Sequence, residues 1–462
     1  MTRVFLSKFS HILVLGIAIR LILAPFFAHP FDMYDWYIIG QNEWNGAEPI
    51  WTFLAPSYYS YFLFVFPAIA AYHLLSPLVG SYAIPISSLN PQLNPGAPWD
   101  ITVVPGLLFD LLIKLPLILS DTLVAILIHR IVLRQFNEEK LAVAAASMWF
   151  LNPLVIWVSS GWGTYDTLPV LFTVLSLYFL QERKFPAAGL ALVVAIAMKY
   201  YAVVLVIPLL LIAWKEGGRK KLLQSSLTIC ISSIVLFLPL IKQIVVGVTP
   251  IVVGPPQLGT TYSGLSLWSA VTLFQPIPDL GILSIVSASI LIVCIYFWMG
   301  KKYTGRLLSF NAYFGISIIP LLLLFRFVAE NYFVWLVPFL SIFALGNKRV
   351  KYLLWALTSV AFLSSITNSL LPYYMLPMAP WIGGFLAGLL SVATPYRVSS
   401  AGAVASTFSV GKIFLAGLGI VSAALLVLIL FTWLSAESGG ITSLGSSLAQ
   451  KPGALISRIK RR

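Results

Sequence analysis

Apolar runs of about 20 residues recur along this chain, and that is the length a helix needs to cross the hydrocarbon core of a bilayer. They fall near 9–27, 105–131, 142–158, 168–181, 187–214, 222–240, 281–299, 305–325, 332–346, 352–371, 379–394 and 411–434. Backbone N–H and C=O groups in a bilayer must be satisfied within the protein, so runs of this kind fold as helices. The stretch at 57–79 is less clear-cut. Its aromatics and prolines (Tyr58, Tyr59, Tyr61, Pro67, Tyr72, His73, Pro77) suit a helix lying at the interface as well as one that crosses. The expected fold class is an all-α polytopic membrane protein with about 11–13 transmembrane helices. Charged residues make up only 10% of the 462. A soluble domain carries about 25%, so an ordinary soluble enzyme and a disordered chain are both excluded.

The net charge of +14 is explained by topology, because basic residues favour cytoplasmic loops. Arg3 and Lys8, Arg130, Arg134 and Lys140, Arg183 and Lys184, Lys215 to Lys221, Lys301 to Arg306, Lys348 to Lys351, and Arg397 with Lys412 form one alternating set of connections. The other set, about 28–104, 159–167, 241–280, 326–331 and 372–378, holds only Lys242 and Arg326. Nucleic acid is therefore not needed to explain the charge, and membrane lipid is the expected surrounding. Segment 187–214 has basic loops on both sides, so it reads as two short passages meeting near Lys199-Tyr200-Tyr201 on the outer side. The basic end of the chain, with Lys451 and Arg458 to Arg462, falls outside on this count and is the one misfit. The first segment is expected to stay as a helix, since Arg20 interrupts its apolar core and no small-residue cleavage site follows. One domain is expected over 1–434, with a large first outer loop at 28–104, a second at 241–280, and a Ser/Gly-rich basic tail at 435–462. Cys230 and Cys294 sit in apolar runs with neither a disulfide framework nor metal-ligand spacing, and no metal or cofactor is called for.

Chemistry concentrates on the outer side. The first outer loop has no Lys or Arg but carries Asp32, Asp35, Glu43, Glu48 and Asp100 beside Trp36, Trp44, Trp51 and Trp99. Carboxylates accept from sugar hydroxyls and rings stack on the apolar face of a pyranose, although an interfacial aromatic belt with solvated acids has the same composition. In His29-Pro30-Phe31-Asp32-Met33-Tyr34-Asp35-Trp36 the two acids are three residues apart and share a face if the segment is helical. A carboxylate at a membrane edge suits a general base acting on an acceptor hydroxyl.

The second feature is Asn152-Pro153 followed by Ser159-Ser160-Gly161-Trp162-Gly163-Thr164-Tyr165-Asp166, a turn that aims Trp162 and Asp166 into a cavity or merely caps the next helix. Charges inside apolar segments are functional candidates: Asp110, Lys114 and Asp121 at i, i+4 and i+11, which lie on one side of a helix so that Asp110 pairs with Lys114 in the structural alternative, and Lys199, which has no acidic neighbour in sequence. Arg326 precedes Glu330-Asn331-Tyr332 at an outer helix edge. It either pairs with Glu330 or, as a cation in need of an anion, meets a phosphate.

The acidic first outer loop, the Gly161-to-Asp166 turn, Ala197-Met198-Lys199-Tyr200-Tyr201, Gly264-Leu265-Ser266-Leu267-Trp268, and Glu330-Asn331-Tyr332 through Trp335 and Pro338 occur in an order that resembles the GT-C superfamily of integral-membrane glycosyltransferases. Within it the chain looks most like dolichyl- or polyprenyl-phosphate-sugar-dependent mannosyl- and glucosyltransferases. The resemblance implies a GT-C-like helical bundle, a polyprenyl-phosphate-linked sugar donor and a lipid-linked or glycan acceptor. It also implies a catalytic acid in the first outer loop, matching Asp32 best and Asp35 second. The expected reaction is hexose transfer, mannose favoured, with inversion. Arg326 and Lys199 are the expected donor-phosphate contacts, and Asp166, Trp162, Tyr165, Trp36, Glu330 and Asn331 the expected sugar or acceptor contacts. The likeness to prokaryotic relatives favours the cell membrane over the endoplasmic reticulum membrane. A secondary transporter or a non-catalytic membrane subunit of a glycan-assembly complex is the alternative, since intramembrane charges also mark ion pathways.

Overall fold

The structure, a computed structural model, describes residues 2–44, 64–80, 83–85, 101–238, 265–268, 280–302, 307–325, 328–368, 371–393 and 410–438. Its helices are α1 (Thr2–Leu23), α2 (Pro30–Trp44), α3 (Phe66–Val79), α4 (Leu107–Phe136), α5 (Glu139–Phe150), α6 (Thr167–Gln181), α7 (Phe185–Met198), α8 (Val206–Phe237), α9 (Leu280–Lys302), α10 (Leu307–Leu324), α11 (Val337–Phe343), α12 (Lys348–Asn368), α13 (Ala379–Ala393) and α14 (Val410–Ser438). Among the described residues, strand is confined to β1 (Ile84–Pro85) and β2 (Val103–Val104), which pair antiparallel with Ile84 opposite Val104. The chain is an all-α polytopic membrane protein.

Among the described residues, five helices are long and apolar enough to cross a bilayer, or six if the bent pair Glu139–Phe150 with Pro153–Trp162 is one span. Six shorter apolar helices stand among them, so much of the bundle consists of broken passages. Helix α3 has 14 residues. Residues 57–63 lie outside the described residues, as do most of the second outer loop and the tail from 439 onward.

The expected break at Lys199 is present. α7 ends there, Lys199 is extended (φ −155°, ψ 125°), and a 3₁₀ turn, Tyr200–Leu205, leads into α8. Helix α8 is interrupted at Gly218, whose φ of 68° needs the freedom of glycine, within the basic stretch that the charge count placed in the cytoplasm. Packing runs α4 on α5 and α6, α6 on α7, α7 on α8, α9 on α10, and α12 on α14. The interior is apolar, with Trp149, Phe314, Phe333 and Trp433 fully enclosed. The outside is apolar too: Ile22 is 65% exposed, Phe297 67% and Phe431 63%. A water-soluble surface does not keep such side chains outward over so many helices; lipid is the solvent that suits them.

Candidate functional site

The acidic stretch is helical. α2 starts at Pro30, whose fixed φ suits the first helical position, and Asp32 lies in the first turn, where the helix dipole favours an anion. Asp32 and Asp35 therefore share one face. The Asp32 side chain is 32% exposed. The Asp35 side chain is half-buried. Burial, with the Asp32 charge adding to it, raises the Asp35 carboxyl to about 6.

The second outer turn is built to reach this helix. Asn152 caps the short helix Pro153–Ile156, accepting from the Leu154 N–H at 3.0 Å. The chain then widens into a π-helical turn, Trp157–Trp162, a form that recurs at functional sites. Gly163 ends the turn at φ 87°, a left-handed conformation, and a Cβ there would stand 2.7 Å from Cε of Lys114. The result turns Trp162 onto α2, where its indole Nε1–H donates to Oδ2 of Asp32. His29 joins the two: its backbone N–H donates to the Trp162 carbonyl at 3.0 Å, and its Nδ1 accepts the Asp32 N–H at 3.3 Å. The His29 ring stacks on Trp162 at 4.8 Å and meets the edge of Tyr374 at 5.4 Å. Burial lowers the His29 pKa against the pull of Asp32, in keeping with a neutral ring whose Nδ1 is an acceptor.

Beside this lies a second knot around Asp166, which is fully buried. Its Oδ1 accepts from Lys199 Nζ at 2.6 Å and Trp335 Nε1 at 2.9 Å, and its Oδ2 from Thr164 Oγ1 at 2.9 Å and from Asn331 Nδ2. The Lys199 ammonium stands over the rings of Tyr332 at 4.4 Å, Tyr165 at 5.0 Å and Trp335 at 5.5 Å. Trp335 stacks between Tyr201 at 3.8 Å and Tyr332 at 4.4 Å. Trp36 of α2 is buried and packs edge-on against Tyr165 at 5.9 Å, which ties the acid helix to this knot.

The buried charges below are partnered across the bundle. Arg20 of α1 bonds Asp121 of α4 at 2.8 Å, both fully buried, and also donates to the Gly16 and Phe150 carbonyls. Lys114 donates to the Ala24 carbonyl at 2.8 Å and to that of Phe27, satisfying the end of α1. Asp110, expected to pair with Lys114, is fully buried with no hydrogen-bond partner on either carboxylate oxygen among the described residues.

Of the residues singled out from the sequence, the fold brings Asp32 onto Trp162 and gathers Asp166, Lys199, Asn331, Tyr165 and Trp36. Glu330 is buried and accepts from Ser364 Oγ at 3.0 Å. Arg326 lies outside the described residues. Lys199, which lacks an acid nearby in sequence, has one in space, so its charge is already matched. Sequence reading did not single out Tyr374 or the roles of Tyr201, His29 and Lys114. His29 stood in the quoted motif, while nothing in the sequence marks a tyrosine more than 340 residues away as its neighbour.

Residues 99–250 match the model of the family described as GPI transamidase subunit PIG-U. That range holds Trp162, Asp166 and Lys199 and leaves out Asp32 and Asp35. The chain is also similar to GPI mannosyltransferase 1 of Saccharomyces cerevisiae, 27% identical over 124 residues, which are 26% of this chain and 30% of the yeast protein. To the protein of the same name from Eremothecium gossypii it is 30% identical over 107 residues, covering 23% of this chain and 26% of that one. The matched stretch thus spans less than a third of either relative's length. Over part of its length, then, the chain is similar to a GPI transamidase subunit family and to proteins named as GPI mannosyltransferases. The names of the relatives belong to GPI assembly and do not favour the cell membrane, which the likeness to prokaryotic relatives had suggested.

Proposed function

We propose that this chain transfers a hexose, mannose favoured, from a polyprenyl-phosphate donor to a lipid-linked glycan acceptor of GPI type at the outer or lumenal face of its membrane. The observation that carries this reading is the junction of two outer elements. The acid helix and the turn after Asn152 meet at Asp32 and Trp162; in this reading the junction faces the membrane edge, where a lipid phosphate and a sugar both reach. In this reading Asp32, with Asp35 beside it, takes the proton of the acceptor hydroxyl. The acceptor oxygen bonds the anomeric carbon as the bond to phosphate breaks, and the phosphate leaves as an anion that needs no protonating acid. A single displacement inverts the anomeric carbon. Arg326 keeps its expected role toward the phosphate charge. Lys199, neutralised by Asp166, holds the surrounding turns together, and Tyr165, Asn331 and Trp36 act through that knot.

The test is to incubate the reconstituted full-length protein with polyprenyl-phosphate-mannose or -glucose and GPI-type glycolipid acceptors, comparing wild type with Asp32→Asn and Asp35→Asn. Transfer by the wild type that is lost in Asp32→Asn supports the reading. Transfer untouched by both substitutions sinks it. The family match favours a second reading, a non-catalytic membrane subunit of a glycan-processing complex. That reading expects no transfer by the purified chain, and assembly with partners that survives Asp32→Asn.

A further inference from the structure

We propose that Trp162 and His29 are positioning residues for Asp32, fixing one carboxylate oxygen so that the other is presented to the acceptor hydroxyl. The inference rests on the transferase reading above and gives Trp162 a role other than stacking on a sugar. Three contacts close a ring through the three residues. The Trp162 carbonyl accepts from the His29 backbone N–H, His29 Nδ1 accepts from the Asp32 backbone N–H, and Asp32 Oδ2 accepts from the Trp162 indole N–H. A closed ring of this kind sets the side-chain torsions of Asp32, because moving any member breaks a hydrogen bond in the other two.

The Trp162 ring is poorly placed for a ligand. It is 7% exposed, His29 stacks on it with planes 18° apart, and Tyr374 meets it edge-on at 5.9 Å. Oδ1 of Asp32, by contrast, has no hydrogen-bond partner among the described residues, and the side chain keeps a third of its surface open. A hydrogen bond to a carboxylate favours its ionised form, which is the form a base needs. The proton of the acceptor hydroxyl then moves to Oδ1. The lone pair released on the acceptor oxygen forms the new bond to the anomeric carbon, and the electron pair of the old C–O bond leaves on the phosphate.

Trp162→Phe keeps the stacked ring and removes only the N–H. Losing one hydrogen bond to a charged group is expected to lower kcat by roughly 10–100-fold. The donor and acceptor KM are expected to stay within about threefold, the pattern of a lost transition-state contact. An unchanged kcat, with KM raised or not, overturns the proposal. A second readout does not depend on activity. The indole ¹H–¹⁵N resonance of Trp162, assigned by its loss in Trp162→Phe, should move when the carboxylate is replaced in Asp32→Asn; a resonance indifferent to Asp32 refutes the contact itself. If the wild type transfers no sugar while the resonance responds, the transferase reading has failed and the catalytic role falls with it, whereas the contact stands.

Discussion

Lys199 and Asp166 offer a sharp test of how this bundle holds its outer face. The pair is buried, with side chains 9% and 0% exposed, and 2.6 Å apart. Removing one partner of a buried ion pair strands the other charge and costs about 3–5 kcal/mol. The two deletions should differ within that range. In Lys199→Met, Asp166 keeps three donors, from Thr164, Asn331 and Trp335. Each is worth about 1 kcal/mol or more when it binds a charge, so the loss falls near the lower end. In Asp166→Leu, the Lys199 ammonium is left, among the described residues, with only the faces of Tyr332, Tyr165 and Trp335. A desolvated cation–π contact recovers about 2 kcal/mol at best, so the loss falls near the upper end. The double variant removes both charges and should be more stable than the sum of the singles by about 2–3 kcal/mol. Reversible unfolding in mixed micelles of increasing dodecyl sulfate content reads all four proteins. A coupling below about 0.5 kcal/mol would mean that the ion pair does not hold these turns. A Lys199→Met protein of normal stability but weakened donor binding would instead return Lys199 to the phosphate.

Gly163→Ala forces a side chain into a left-handed backbone and pushes on Lys114, which holds the end of α1. The expected loss is about 1–3 kcal/mol in the same micelle titration, larger than that of Gly80→Ala, where φ is also positive but a Cβ meets nothing within 4 Å. Asp35, with a carboxyl raised from 3.8 to about 6, binds its proton more tightly folded than unfolded. Its contribution to stability is therefore present below pH 3.8 and is lost as pH rises through about 6. Asp35→Asn should accordingly raise the melting temperature at pH 8 and leave it little changed at pH 4. A melting temperature lowered at both pH values would refute the burial assigned to this acid.

Local periodicity and charge made several elements legible in the sequence. The break at Lys199 followed from an apolar run too short for two crossings between basic loops, and the spacing of Asp32 and Asp35 put them on one face on the condition that their segment is helical, which α2 is. What was not legible is who meets whom. Asp110, Lys114 and Asp121 sit on one side of α4 and read as a self-contained trio, yet Asp121 bonds Arg20, 101 residues away, and Lys114 reaches the carbonyls at the end of α1. Lys199 read as a free cation until Asp166, 33 residues earlier, was folded against it.

The sequence by itself determined the solvent and the element type: uninterrupted apolar length allows only helices in lipid, and the asymmetry of the basic residues assigns the two sides. Tertiary structure alone decided which charges stay available for chemistry. A buried charge must find its opposite wherever the packing places one, and that choice, made across 33 and 101 residues of separation, matches Lys199 with Asp166 and Arg20 with Asp121 while leaving one oxygen of Asp32 open.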